Sequence, residues 1–157
     1  MYGILKKQLA TICDTERNFI TNASNFTALL FNSLSDINWV GFYFMNNGAL
    51  KLGPFQGKPA CIDIPLGKGV CGKSVQQCES LIVDDVHEFP GHIACDENSR
   101  SELVIPIYFE NRIIGVLDID SPVQSRFSAA DKNGIEELLT ILIGNSDIGK
   151  IWKAYQY

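Results

Sequence analysis

No stretch of this sequence has the ~18 consecutive apolar residues that cross a bilayer. The longest dense run is Leu138-Leu139-Thr140-Ile141-Leu142-Ile143, so a soluble protein without membrane contact is expected. Residues Met1-Tyr2-Gly3-Ile4-Leu5-Lys6-Lys7 lack the apolar core of a signal peptide, and Tyr2 does not fit an N-myristoylation pattern. The cytoplasm is the expected compartment. Basic charge is scarce: 13 Lys and Arg stand against 18 Asp and Glu, a formal net charge of −5. With no basic patch to override it, that balance repels a phosphate backbone and argues against a nucleic-acid partner. No repeat, low-complexity tract or Pro/Gly/Ser-rich linker divides the chain, so residues 1–157 read as one domain. A chain of this length buries roughly 68–70% of its unfolded surface and needs no disulfide or structural metal to hold a core. Five cysteines, an odd number without an export signal, argue against a disulfide framework. Their chemistry becomes the question.

Residues 4–12 and 15–34 read as helices, the second from the helical spacing of Phe19, Ile20, Ala23, Phe26, Leu30 and Leu34, with Asp14 as the N-cap between them. The aromatic run 38–44 and the segment 49–52 read as strands joined at Asn46-Asn47-Gly48. A short strand over Cys61–Ile64, a glycine-rich turn, a helix over Val70–Cys78 and a strand over Leu81–Val83 follow, then a loop carrying Pro90-Gly91. From Glu102 to Asp120, Leu103, Ile105, Ile107 and Phe109 alternate on one strand and Ile113, Leu117 and Ile119 on its return, a long hairpin. Ser128-Ala129-Ala130-Asp131 opens a last helix as a capping box, with Ile135, Leu138, Leu139 and Leu142 on one face. The order predicts an α+β fold: a central antiparallel sheet with the N-terminal and C-terminal helices packed on one side.

Three constellations could carry chemistry. Gly67-Lys68-Gly69-Val70-Cys71-Gly72 matches G-x-G-x-x-G, with Asp84 and Asp85 downstream. The antiparallel pattern that follows argues against a dinucleotide fold and for a tight turn into a helix whose N–H groups suit a small anion such as a carboxylate. In the hairpin, a three-residue loop at Glu110-Asn111-Arg112 places Phe109 opposite Ile113, Val104 opposite Asp118 and Glu102 opposite Asp120. A two-residue loop at Asn111-Arg112 would turn Asp118 onto the apolar face. Clustered, Glu102, Asp118 and Asp120 raise one another's pKa, so one keeps a proton to donate while ionised neighbours bind a cation or amine. A solvated sheet end is the plainer reading, and a hard-metal site lacks the usual ligand loop. Among the cysteines, Cys13 and Cys78 sit inside predicted helices as buried packing residues. The helix dipole favours thiolate at Cys71, and His92 and Arg100 flank Cys95 in a polar loop, so Cys95 reads as reactive. A zinc site from His87, His92, Cys95 and a further thiol finds no compact ligand spacing, and no metal is expected.

The motifs Asn38-Trp39-Val40-Gly41-Phe42-Tyr43, Leu52-Gly53-Pro54-Phe55-Gln56-Gly57, Gly69-Val70-Cys71-Gly72, Phe89–Asp96, Ser99-Arg100-Ser101-Glu102 and Gly115–Asp120 together resemble the free methionine-R-sulfoxide reductases, stand-alone GAF-domain enzymes. The resemblance implies that Cys95 is the nucleophile attacking the sulfur of free methionine sulfoxide and left as a sulfenic acid. It implies that Cys61 resolves it as a Cys61–Cys95 disulfide, that Cys71 is an auxiliary thiol, and that a thioredoxin-type reductant restores the dithiol, with no cofactor. A homodimer is expected on the same ground. Beside it, the acid cluster fits a proton source and ammonium site, and Trp39 and Tyr43, on one strand face with Gly41 between them, fit an apolar wall for the S-methyl group. His87 gains no role. The rival reading is a GAF ligand-binding or redox-sensing module without catalysis.

Overall fold

Two β-turns in which both central residues have positive φ organise the molecule. In the computed structural model, which describes residues 1–91 and 97–150, Asn47 and Gly48 (φ 47° and 82°) join β1 (Trp39–Asn46) to β2 (Ala49–Gly57). Glu110 and Asn111 (φ 47° and 61°) join β5 (Ser101–Phe109) to β6 (Arg112–Ser121). Such turns match the right-handed twist of antiparallel strands. With β3 (Asp63–Pro65) and β4 (Leu81–Val83), they build one sheet of order β3-β2-β1-β6-β5-β4, antiparallel at every pairing. The two strands flanking the glycine-rich turn, β3 and β4, are its opposite edges. That removes the parallel βαβ unit a dinucleotide fingerprint requires.

Helices α1 (Tyr2–Ile12), α2 (Phe19–Ser33) and α4 (Ala129–Gly144) cover one face. There Phe19, Phe26, Phe42 and Phe44 form an aromatic cluster with centroids 5.7–5.9 Å apart, packed on Leu103, Ile105, Leu117 and Ile119 and on Ile135, Leu138, Leu139 and Leu142 of α4. The predicted capping box is present: the Ser128 hydroxyl accepts from the Asp131 N–H, and Asp131 accepts from the Ser128 N–H. The N-cap of α2 is Asn18, whose side chain accepts from the Thr21 N–H at 3.1 Å, and not Asp14. Residues 14–18 stay out of the helix because Glu16 accepts from the Asn18 N–H and the Arg17 carbonyl accepts from Asp147. No helix among the described residues is long and apolar enough to cross a membrane.

The short helix α3 (Gly69–Gln77) packs on the opposite face, against Trp39, Tyr43, Val104 and Val116. Cys78 is its C-cap, in the left-handed conformation with an exposed thiol, rather than a buried helical residue. Cys13 caps the end of α1 and is buried as expected.

The β5–β6 hairpin corrects one expectation and keeps its consequence. The loop has two residues, with Phe109 opposite Arg112 and Tyr108 opposite Ile113, but the register steps between Ile107 and Tyr108, where Ile107 meets Gly115. The extra residue on β6 is a β-bulge. It buries Ile114 instead of Ile113 and restores the pairs Val104–Asp118 and Glu102–Asp120. A second bulge lets β2 run through Gly53-Pro54, which the sequence reading took as its end: Gly41 faces Phe55 while Tyr43 faces Leu52. A bulge tolerates the missing N–H of proline.

Candidate active site

Three cross-strand rows on the α3 face define the site. Trp39, Asp120 and Glu102 form one row across β1, β6 and β5; Gly41, Asp118 and Val104 form the next; Tyr43, Val116 and Pro106 the third. Alternation along each strand aims these side chains to one side. The pocket above them is walled by Trp39, Tyr43 and Ile64, closed by Gly69, Val70 and Cys71 of α3, and floored by Glu102, Asp118 and Asp120.

The aromatic wall depends on a missing side chain. A Cβ at Gly41 would lie 2.4 Å from the Trp39 ring and 2.5 Å from the Phe55 Cβ. Glycine leaves that space, so Trp39 lies over it and stacks on Tyr43 (5.8 Å) and Phe55 (5.4 Å). The polar ends of the two wall residues are used: the Trp39 indole donates to the Lys58 carbonyl at 3.1 Å and the Tyr43 hydroxyl to the Cys61 carbonyl at 3.0 Å. Buried Tyr and Trp polar atoms need such partners. These bonds tie the β2–β3 connection to the wall. Burial, with Asp118 and Cys71 alongside, holds the Tyr43 phenol above its ordinary pKa and therefore protonated.

On the floor, Glu102 and Asp118 are each 6% exposed. Burial is the main cause that pushes both carboxyls up. Asp118 rises to about 6, held there by donors from Cys71 and Glu102. Glu102 goes well above the carboxylate range, with the charge of Asp118 adding to burial. One acid of the pair therefore keeps its proton near neutrality while the other is mostly ionised. Asp118 Oδ1 is buried with no hydrogen-bond partner, an acceptor position that an ammonium group satisfies. The Cys71 thiol donates to Glu102 Oε1 at 3.9 Å and also bonds Asp118. Its pKa is raised by burial first and by the two carboxylates next, so the expected dipole-stabilised thiolate is overridden. The donor atoms of Cys71, Glu102 and Asp118 lie within 4.8 Å of one another, a spacing that suits either a shared hydrogen-bond network or a metal ion.

The entrance of α3 is built for close approach. Lys68, the N-cap, offers no side-chain cap, and Gly69 takes φ 60° with its N–H on the Gly91 carbonyl. The structure thus brings together Trp39, Tyr43, Cys71, Glu102, Asp118 and Asp120. Cys61 lies beside them through its carbonyl and is disulfide-bonded, while Cys13, Cys71 and Cys78 are free thiols. Cys61 is also outside the strand expected to contain it, which begins at Asp63. Cys95 and His92 lie outside the described residues. His87, in a 3₁₀ turn over Val86–Glu88, is half exposed with its ring on Asp85 at 3.1 Å.

Two contributors had no role in the sequence reading. Phe55 backs the wall, and its signal was its place opposite Gly41 once the Gly53-Pro54 bulge is allowed. Ser99, buried in the pocket lining, accepts from the Asn38 amide at 3.1 Å; nothing in its local pattern marks it.

Comparison with known proteins gives the family and the fold. A family model described as "GAF domain" matches residues 25–142. The chain is 47% identical over 141 residues, 90% of this chain and 86% of the relative, to the free methionine-R-sulfoxide reductase of Escherichia coli K12. It superimposes on the reduced form of the fRMsr of Staphylococcus aureus with a TM-score of 0.88, at 51% identity and covering 92% of this chain and 94% of that one. The Neisseria meningitidis free methionine-R-sulfoxide reductase, solved in complex with its substrate, also gives 0.88, at 38% identity over 92% and 87% of the two chains.

Proposed function

Because the chain belongs to the GAF-domain family of free methionine-R-sulfoxide reductases, we propose that it reduces free L-methionine-(R)-S-oxide to L-methionine, with Cys95 as nucleophile and Cys61 as resolving thiol. The observation that carries the reading is the buried Glu102–Asp118 pair under the Trp39–Tyr43 wall: one carboxyl kept protonated, the other with an unpartnered oxygen.

In the first step Cys95 Sγ attacks the sulfoxide sulfur while Glu102 gives a proton to the oxygen, which becomes a better leaving group. In net terms the oxygen passes to Cys95 as a sulfenic acid, the cysteine sulfur losing two electrons and the methionine sulfur gaining them. Asp118 and Asp120 hold the ammonium group of the substrate. The uncapped start of α3 takes its carboxylate, and the aromatic wall takes the S-methyl group. A peptide-bound methionine sulfoxide lacks both terminal charges, so the same contacts select the free amino acid. The Cys61 thiol then attacks the sulfenic acid, water leaves, and a disulfide forms. A thioredoxin-type dithiol reduces it and returns the enzyme to its starting state. Cys61 being disulfide-bonded while Cys13, Cys71 and Cys78 are free supports this division of labour.

A single-turnover assay tests the reading. Pre-reduced protein is mixed with the separate R and S epimers, methionine is counted and the remaining thiols are titrated. The expected result is one methionine per chain from the R epimer alone, with the loss of two thiols, and none from Cys95→Ser. No methionine from either epimer, with every thiol retained, would move the protein to the ligand-binding GAF modules.

A further inference from the structure

From the buried cluster we infer that Cys71 is a positioning residue and not a redox thiol: its S–H, lying between Glu102 and Asp118, holds the two carboxyl groups so that Asp118 turns Oδ1 to the substrate ammonium. The inference rests on the proposed reductase reading and assigns one of its residues a different task from the auxiliary thiol that the sequence resemblance implies.

Three observations carry it. The first is the pattern of donors on Asp118. Cys71, Glu102 and the Ile119 N–H all hydrogen-bond this carboxyl group, and Oδ1 is buried without a partner among the described residues. Of the pocket hydroxyls, that of Tyr43 donates to the Cys61 carbonyl and that of Ser99 accepts from the Asn38 amide. Cys71 is therefore, with the Glu102 acid and the Ile119 N–H, one of the donors that set which way Asp118 faces.

The second is placement. Cys71 is 2% exposed and lies in the first turn of α3. A Cβ at Gly72 would lie 2.6 Å from the Pro65 carbonyl, and the turn is laced by Gly67 N–H to Gly72 O, Gly72 N–H to Lys68 O and Gly69 N–H to Gly91 O. These contacts fix the first turn of α3, and with it the sulfur, within 4.8 Å of the donor atoms of Glu102 and Asp118. The third is state: Cys71 is a free thiol in the same structure in which Cys61 is disulfide-bonded. Burial and the neighbouring carboxylates, which include Asp120, also keep its proton on, which suits a donor and disables a nucleophile.

Serine keeps a donor at this position and cannot form a disulfide; alanine does neither. The test compares Cys71→Ser and Cys71→Ala for the KM of free methionine sulfoxide, thiols lost in a single turnover, and the titration of the Asp118 carboxyl followed by carbon-13 NMR. A positioning role predicts that alanine raises KM about tenfold and moves the Asp118 titration upward from about 6. Serine recovers both, KM to within about threefold of wild type, and both variants still lose two thiols. The inference is overturned if serine is as impaired as alanine with methionine release intact and recycling slowed, which is the redox pattern, or if neither variant changes KM or the titration. Should the wild-type protein release no methionine, the reductase reading fails by itself. The Asp118 titration in the two variants still decides the hydrogen-bond role.

Discussion

The two faces of the sheet are built from the same strands and obey different rules. On the helix side, β5 and β6 contribute Leu103, Ile105, Ile107, Leu117 and Ile119, and β1 contributes Val40, Phe42 and Phe44, all without a polar side-chain atom. One residue along each strand, the other face carries Glu102, Asp118, Asp120, Trp39 and Tyr43. Burial on the first face is favourable everywhere, at about 25 cal/mol per Å² of apolar surface. On the second, the same depth of burial acts on carboxyl groups and raises their pKa, which costs stability and creates a proton donor. The aromatic residues differ in the same way: the phenylalanine cluster packs ring against ring, whereas Trp39 and Tyr43 also spend their polar ends on the backbone that carries Cys61. Stability is thus concentrated on one side of a single-layer sheet and the cost of buried carboxyl groups on the other. Period-two alternation keeps them apart.

Substitutions on each face should separate the two quantities. The largest effect is expected for Asp118→Asn, which removes the proposed ammonium partner: kcat/KM falls by about 10²–10³ while the protein becomes more stable at pH 7, measured by steady-state kinetics and urea unfolding. A loss of stability instead would break the comparison. Next, Phe26→Ala on the helix side, a ring buried 5.7 Å from Phe42, should cost about 3–5 kcal/mol and leave the activity of the remaining folded protein unchanged.

The pH dependence sharpens the first prediction. Asp118 rises from 3.8 to about 6 in the folded state, so the folded protein holds this proton more tightly than the unfolded chain. The associated stability is fully present below 3.8 and is lost as pH rises through about 6. Unfolding of wild type and Asp118→Asn at a series of pH values should give a difference that grows in favour of the variant across this window, approaching about 3 kcal/mol. A constant difference would show that the carboxyl is not buried as described. A smaller effect is expected for Gly41→Ala, whose methyl group would meet the Trp39 ring at 2.4 Å. KM should rise about tenfold with a stability loss of about 1–2 kcal/mol. Smallest is Tyr2→Phe, which removes the hydroxyl donating to Asp131 at 2.6 Å between α1 and α4: about 1 kcal/mol in unfolding, and no change in kinetics.

What could be read from the sequence follows how local each feature is. The helices and the acid pairs were legible because periodicity and alternation are properties of one segment, or of two joined by a short turn. The extent of β2 was not: Gly53-Pro54 has the local appearance of a strand end, and only pairing with β1 shows that a bulge absorbs it. The protonation of Cys71 was misjudged for a related reason. Helix position favours a thiolate, but the deciding contacts come from Glu102 and Asp118, brought in by other strands. The exposed thiol of Cys78 depends on a left-handed C-cap conformation, which a helical pattern ending at that residue does not announce.

The bulge in the β5–β6 hairpin has an evolutionary consequence. A tight turn and a buried carboxyl pair at the other end of the same two strands would ordinarily be locked together, since adding or losing one residue at the tip turns every following side chain to the opposite face. Here the surplus residue near Ile114 absorbs that shift. The tip can acquire a new length by insertion or deletion, compensated a few residues away, while Glu102 and Asp118 still meet their partners, so the hairpin end is free to diverge while the chemistry stays fixed.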